Sequence, residues 1–186
     1  SDHLVDSWFH TFGLPTLVSN CSNNYGPRQF PDKLIPNIII NAINSKSIPI
    51  YGNGLNIRDW LFVEDHINAL LLMAIKGKPG SHYCIGGSEE KSNINLCKKI
   101  CKILDDLKPQ KTSYSSLIKF VDDRPGHDYR YGIDSSLINR DLGWETFYQF
   151  DQSIEETIIW YLRNLDWVDF VKQESGYKGE RLGIIN

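Results

Sequence analysis

The stretch Asp2-His3-Leu4-Val5-Asp6-Ser7-Trp8-Phe9-His10-Thr11-Phe12-Gly13-Leu14-Pro15-Thr16-Leu17-Val18-Ser19-Asn20-Cys21 decides the fold class. Residues 2–12 carry apolar side chains at helical spacing. Gly13 is placed to end the helix in the left-handed conformation, and Pro15 cannot continue it. Thr16 to Cys21 is β-branched and apolar, and reads as a strand that runs into a polar loop, Ser22 to Phe30. Helix, Gly-x-Pro, strand is the rhythm of an open α/β sheet with parallel strands.

The same rhythm continues outward. Residues 33–44 read as a helix with Pro36 in its first turn. Ile48 to Tyr51 and Ile57 to Val63 read as strands joined through Gly52-Asn53-Gly54, a hairpin or near-hairpin. Glu64 to Lys76 is expected to be a helix with Leu70, Leu71 and Ala74 on its apolar face, and His82 to Ile85 a strand. Asn93 is read as the cap of a helix over Ile94 to Leu107. Pro109 to Ser116 reads as a loop, Ile118 to Val121 as a strand, and Ser135 to Leu142 as a short helix stopped by Gly143. Asp151 is read as the cap of a long helix reaching Leu165. The tail from Lys172 to Asn186 is expected to be irregular.

The length, 186 residues, suits one domain or a domain with part of another, and 41% hydrophobic residues supply a core. A net charge of −3 without a basic run argues against a nucleic-acid partner. No apolar run reaches membrane-spanning length. Cys21, Cys84, Cys97 and Cys101 form no C-x-x-C pair and are expected to be buried thiols in a reducing cytoplasm. The histidines lack metal-ligand spacing. Glu64-Asp65-His66 opens a helix, which is capping chemistry, and no serine or cysteine stands in a nucleophile context beside it. The first residues read as the middle of an amphipathic helix, which predicts a chain cut from something longer.

Four places offer binding chemistry. Asp123-Arg124-Pro125-Gly126-His127-Asp128 gathers charged groups on a Pro-Gly turn, and the arginine fork suits a phosphate gripped at two points. Arg58, in a strand between Ile57 and Trp60, needs Asp59, Asp65 or a bound phosphate as partner. Arg124 as a second guanidinium favours the phosphate. Asn20 to Pro27 follows a strand end, where open α/β sheets bind ligands. Asn23 and Asn24 can bond a hydroxyl or carbonyl there, or simply build a turn. Lys33 opposes the dipole of the helix it begins, and either meets an anionic ligand or is a solvated surface lysine.

With these residues in view, the chain resembles the dTDP-glucose 4,6-dehydratase family of extended short-chain dehydrogenases/reductases. The matching pieces are SDHLVDSW, GLPTLVSNCSNNYGPRQFPDKLIP, IPIYGNGLNIRDWLFVEDH, YCIGG, DDRPGHDYRYGID and LGWE. The Gly126-His127 pair is similar to the thymidine-linked branch rather than the UDP-glucose dehydratases. The resemblance implies an α/β fold comprising the last strands and helices of a Rossmann sheet plus a small mixed α/β substrate-binding domain. Residues 1–30 would be the remnant of the NAD-binding domain. Residues 31–186 would mainly bind nucleotide sugar, with residues near 64–86 returning to the Rossmann sheet.

It further implies NAD as cofactor and a dTDP-sugar as substrate. A homodimer through the helix at residues 2–12, or a complementing N-terminal half, would complete it. Asn23 would contact the sugar diphosphate and Asn24 the nicotinamide end of NAD. Lys33 and Leu34 would border phosphates and sugar, and Pro49 and Tyr51 would pack on base and ribose. Arg58 would grip the pyrophosphate with Asn93 nearby, and Arg124 and His127 would close over phosphate and ribose. Tyr177 is the candidate for a tyrosine over the base. The family's glycine-rich loop, its Thr-Asp-Glu trio and its Tyr-x-x-x-Lys pair would lie outside this chain, leaving no catalytic residue within it and the isolated chain inactive. Alternatives are a non-catalytic sugar-nucleotide-binding or dimerisation remnant, and an epimerase or decarboxylase of the same superfamily.

Overall fold

The computed structural model describes residues 1–177. Helix α1 (Asp2–Phe12) ends where Gly13 turns left-handed at φ 65° and bonds back to Phe9. Strand β1 (Val18–Cys21) follows, and after Ser22 the chain continues as β2 (Asn23–Tyr25), within the stretch expected to be a loop. Then come α2 (Leu34–Ile43), β3 (Ile48–Tyr51), β4 (Ile57–Phe62), α3 (Val63–Lys76) and β5 (His82–Ile85). The remainder is β6 (Glu90–Ser92), α4 (Asn93–Leu107), β7 (Ile118–Val121), β8 (Arg130–Tyr131), α5 (Ser136–Leu142), α6 (Phe150–Arg163) and α7 (Leu165–Ser175). The architecture is α/β with mainly parallel pairing, as the first residues predict.

β1 pairs with β5 in parallel, Val18 opposite His82. β2 pairs in parallel with β4, and β4 takes β6 antiparallel and β8 parallel on its N-terminal half. β3 pairs in parallel with β7. The expected hairpin of residues 48–63 therefore does not form. Gly54, at φ 72°, lies so close to Ile50 and Ile94 that a Cβ would fall 2.7 and 2.9 Å from their side chains. The turn is packed down on α4, and Gly52 N donates to Val121 O, which extends the β3–β7 pairing beyond β3. β4 is sent instead into the sheet with β2.

β4 divides two cores because successive side chains point to opposite faces. Trp60 and Phe62 join a large core with Ile38 of α2, Ile100 of α4 and Ile154 of α6. Leu61 joins a smaller core with Ala69 and Met73 of α3, Tyr83 and Ile85 of β5, and Trp144. The inward stripe of α3 is thus Asp65, Ala69 and Met73, four residues apart, while Leu70, Leu71 and Ala74 are exposed. α1 buries no residue: Leu4, Trp8 and Phe12 are exposed, and it is fastened by Asp6 to His82 at 2.5 Å and by Phe9 over Gly80.

Three other expectations are corrected. The side chain that caps α4 is Ser92, whose Oγ accepts from Asn95 N at 3.4 Å, and Asn93 is the first helical residue. α6 begins at Phe150, with Asp151 in its first turn bonded to Lys99 at 2.7 Å. Residues 172–175 are helical within α7; residues 178–186 of the expected irregular tail lie outside the described residues. All four cysteines are free thiols; Cys97 and Cys101 are buried as expected, whereas Cys21 and Cys84 are only half-buried. No helix among the described residues is long and apolar enough to cross a membrane, and no cluster of three metal-type ligands occurs among them.

Candidate functional site

Strand β7 delivers the Pro-Gly loop, and Gly126 takes φ 65° at its tip. Asp123 organises this loop: its Oδ1 accepts from Arg124 N at 2.9 Å and pairs with His127 Nδ1 at 2.6 Å. These contacts, the His127 bond foremost, hold the Asp123 carboxyl below its ordinary range. Its other oxygen stands over Gly52, where a Cβ would lie 2.8 Å away. The parallel ladder between β3 and β7 thus brings Tyr51 against His127, ring centroids 6.2 Å apart and edge to face. The structure juxtaposes both with the Arg124 loop. The sequence reading named Asp123 only as a charge in the segment. Its position four residues before His127 was the available signal.

Arg58 lies in β4 and is 8% exposed. Its Nη1 donates to Ile57 O at 2.7 Å and its Nη2 to Asp128 O at 2.9 Å. The two acids proposed as its partners are occupied elsewhere. Asp59 accepts from Gly87 N and Glu89 N, both at 2.9 Å, and Asp65 accepts from Phe147 N at 2.9 Å and Tyr148 N at 3.2 Å. Asp65 is therefore a tether for the segment before α6 rather than a helix cap. Burial lowers the Arg58 pKa, the positive charge of Arg124 lowers it further, and Asp128 opposes both. The two guanidiniums thus act on each other, an arrangement that an anion between them would relieve.

Asn56, absent from the sequence-based candidates, ties this region together. Its Nδ2 donates to Asp128 O at 3.2 Å and its carbonyl accepts from Asn93 N at 3.0 Å. Asn93 Oδ1 is buried without a hydrogen-bond partner, an acceptor available to a donor on a ligand. Pro49 and Tyr51 are half-buried in β3. An open groove of about 590 Å³ runs between Ile57, Tyr129, Lys91 and Lys99; none of the expected site residues lines it.

Asn23 and Asn24 sit opposite Trp60 and Leu61 in the sheet. The two-residue alternation puts Asn23 on the same face as Arg58, about 7 Å further along the strand direction. The Asn24 side chain is bonded at both ends: Nδ2 donates to Ser22 O at 3.1 Å and Cys21 Sγ at 3.3 Å, and Oδ1 meets His66 Nδ1 at 2.8 Å. Gln29 Nε2 donates to Asn24 O at 2.7 Å. Ser22 Oγ, Gln29 Oε1 and His66 Nε2 are all buried without partners. Three orphan polar atoms on the immediate neighbours of Asn24, at the end of a parallel strand, fit an amide-bearing cofactor such as NAD. Lys33 precedes α2 with an exposed ammonium 3.2 Å from Asp32, and Leu34 is half-buried behind it. Tyr177 is buried with its ring 5.8 Å from Phe30, in the loop leading to Lys33.

Strand, crossover and site together define an α/β fold of the extended short-chain dehydrogenase/reductase type, seen in its C-terminal part. A family model described as GDP-mannose 4,6 dehydratase matches residues 1–157, and the chain belongs to that family. A dTDP-glucose 4,6-dehydratase of Escherichia coli is 54% identical over 189 residues, covering 100% of this chain and 52% of the relative. One from Neisseria meningitidis serogroup B is 52% identical over 187 residues, covering 98% and 52%. The dTDP-glucose 4,6-dehydratase of Bacillus anthracis, solved in complex with NAD, superposes with a TM-score of 0.83 at 40% identity, over 92% of this chain and 52% of its own. That of Streptomyces venezuelae, solved with NAD bound, gives 0.84 at 35% identity over 92% and 51%. The chain spans about half the length of the curated relatives it matches.

Proposed function

We propose that this chain is the sugar-nucleotide-binding part of a dTDP-glucose 4,6-dehydratase, which converts dTDP-glucose to dTDP-4-keto-6-deoxyglucose. The observation that carries the proposal is the pair Arg58 and Arg124: two guanidiniums within electrostatic reach, with the neighbouring acids Asp59 and Asp65 committed to backbone N–H groups. A diphosphate would accept from both. Tyr51 and Pro49 would carry the base and ribose, His127 would close over them, and Asn93 Oδ1 and Asn23 would bond toward the sugar side. Lys33 and Leu34 would border the diphosphate from α2, and Tyr177 would lie over the base.

NAD, when bound, supplies the hydride acceptor of an internal redox reaction. What this chain's residues contribute is position. Gripping the nucleotide far from the reacting carbons orients the sugar and lowers the entropic part of the barrier. The proton-transferring tyrosine, lysine and acid pair of such a reaction are assigned to none of these residues. Residues 1–30 and those near 64–86 would belong to the cofactor half and the rest to the sugar-nucleotide half. The exposed Leu4, Trp8 and Phe12 on α1 would meet a second copy or a complementing N-terminal half. A cytoplasmic setting suits a nucleotide-sugar substrate.

Titration calorimetry of the chain with dTDP and with UDP tests this reading. Binding of dTDP with clear preference over UDP is expected, with no turnover of dTDP-glucose unless a complementing half is added. Preference for UDP, or conversion by the isolated chain, overturns it.

A further inference from the structure

The sequence pairs Asp65 with His66, and the structure sends them to different tasks. Asp65 is consumed by the backbone of residues 147 and 148. His66, one turn into α3, reaches back to β2 and meets Asn24 Oδ1 at 2.8 Å. Both hydrogens of the Asn24 amide are directed at Ser22 O and Cys21 Sγ, which fixes the amide's orientation and presents an oxygen to the imidazole. An oxygen accepts, so His66 Nδ1 must carry the hydrogen. The other ring nitrogen, Nε2, is buried with no partner, a place that tolerates a lone pair better than an unsatisfied N–H. Burial also lowers the His66 pKa, which keeps the ring neutral.

After these bonds Asn24 has one unused hydrogen-bonding position, the second lone pair of Oδ1. We propose that His66 is a positioning residue which locks Asn24 as a single-acceptor contact for an N–H donor of the bound dinucleotide, the carboxamide of its nicotinamide. This rests on the reading that residue 24 meets the nicotinamide end of NAD. The carboxamide offers two N–H donors, whereas a carboxylate in its place offers none and would set an anion against the Asn24 oxygen. Asn24 and His66 together would therefore select the amide over the acid.

Nitrogen-15 NMR of the uniformly labelled chain tests the positioning directly and with no cofactor present. The expected result is a His66 ring protonated on Nδ1 alone, with the Asn24 side-chain amide hydrogens protected from exchange. In His66→Ala that protection falls about tenfold, the equivalent of one net hydrogen bond, while the α6 amides stay unchanged. His66→Asn, which can still donate to Oδ1, restores part of it. A ring protonated on Nε2, or one averaging between tautomers in the wild-type chain, overturns the assignment even if the alanine variant does not fold. The same sample, with the complementing N-terminal half added, is then titrated with NAD and with its carboxylate analogue. A shift of the Asn24 amide signals by NAD at lower concentration than by the acid supports the selection. A response indifferent to amide or acid, or none at all, with the Nδ1 tautomer intact, overturns the nicotinamide reading of residue 24 while leaving the His66–Asn24 bond standing.

Discussion

Removing each arginine of the proposed clamp should have opposite consequences for stability and similar ones for binding. Arg58 is buried and donates to Ile57 O and Asp128 O. Arg58→Ala strips Ile57 O of that side-chain donor, while Asp128 O keeps Asn56. Charged hydrogen bonds are worth about 1.5–3 kcal/mol each, and relief of a buried positive charge offsets part of that, so a loss of about 1–3 kcal/mol of stability is expected. Arg124 is exposed and its charge works against that of Arg58. Arg124→Ala removes the repulsion, and stability should stay level or rise by about 0.5 kcal/mol. For dTDP each variant forfeits a charge-assisted contact, about 1.5–3 kcal/mol or roughly 10- to 150-fold in Kd. If both heads grip one diphosphate, the double variant should lose less than the sum, by about 0.5–3 kcal/mol. Urea unfolding and titration calorimetry on the three variants read both quantities. An Arg124→Ala chain destabilised as much as Arg58→Ala, or dTDP affinity unchanged within about twofold in both single variants, would refute the reasoning.

Gly52→Ala places a methyl group 2.8 Å from Asp123 Oδ2 on a backbone at φ 55°; it should weaken dTDP binding by pushing the Asp123–His127 pair aside, and wild-type affinity in calorimetry would count against that coupling. Asp65→Ala leaves Phe147 N and Tyr148 N without their acceptor, a loss of about 2–4 kcal/mol in urea unfolding; a loss below about 1 kcal/mol would show that water replaces the carboxylate. The Asp123 carboxyl sits lower in the folded chain than in the unfolded one, so its contribution is complete above the ordinary carboxylate pKa of about 3.9 and fades as pH falls through the lower folded value. Protection of the Arg124 amide, which donates to Asp123 Oδ1, measured relative to its intrinsic exchange rate, should therefore hold down to about pH 4 and fall below it; a loss of protection already at pH 5 would contradict the sign.

Much of the architecture was legible because its signals are local. Gly13 followed by Pro15 stops α1 where the structure stops it, and β3, β5 and β7 have the bounds their apolar runs suggest. Long-range pairing was not legible. β2, β6 and β8 are two or three residues long and exist only because β4 offers edges to them. A Gly-Asn-Gly turn reads as a hairpin, and only the contacts of Gly54 with Ile94, forty residues later in the chain, show why β3 and β4 part. α7 begins directly after Asn164 and bears Leu165, Trp167, Val168, Phe170 and Val171, yet only Val168 of them is buried, so no clear inward stripe marks it in the sequence.

The candidate binding residues divide the same way. Arg58, Arg124 and His127 announce themselves by charge in awkward or bent places. Asn56 and His66 act through partners that sequence spacing conceals, since Asn56 reaches Asp128 and His66 meets Asn24 across β2 and α3, whereas Asp123 is signalled by its place four residues before His127. Asn93 illustrates the limit: its residue type suggested a cap, yet Ser92 caps, and its own oxygen is left facing no protein donor.

The most direct measurement is a crystal structure of the chain with dTDP. Guanidinium nitrogens of both Arg58 and Arg124 should lie within hydrogen-bonding distance of the same diphosphate, with Arg58 still seated in β4 and Tyr51 against the nucleoside. A diphosphate held elsewhere, with Arg58 bonded only to Ile57 O and Asp128 O and Arg124 turned to solvent, would contradict the account.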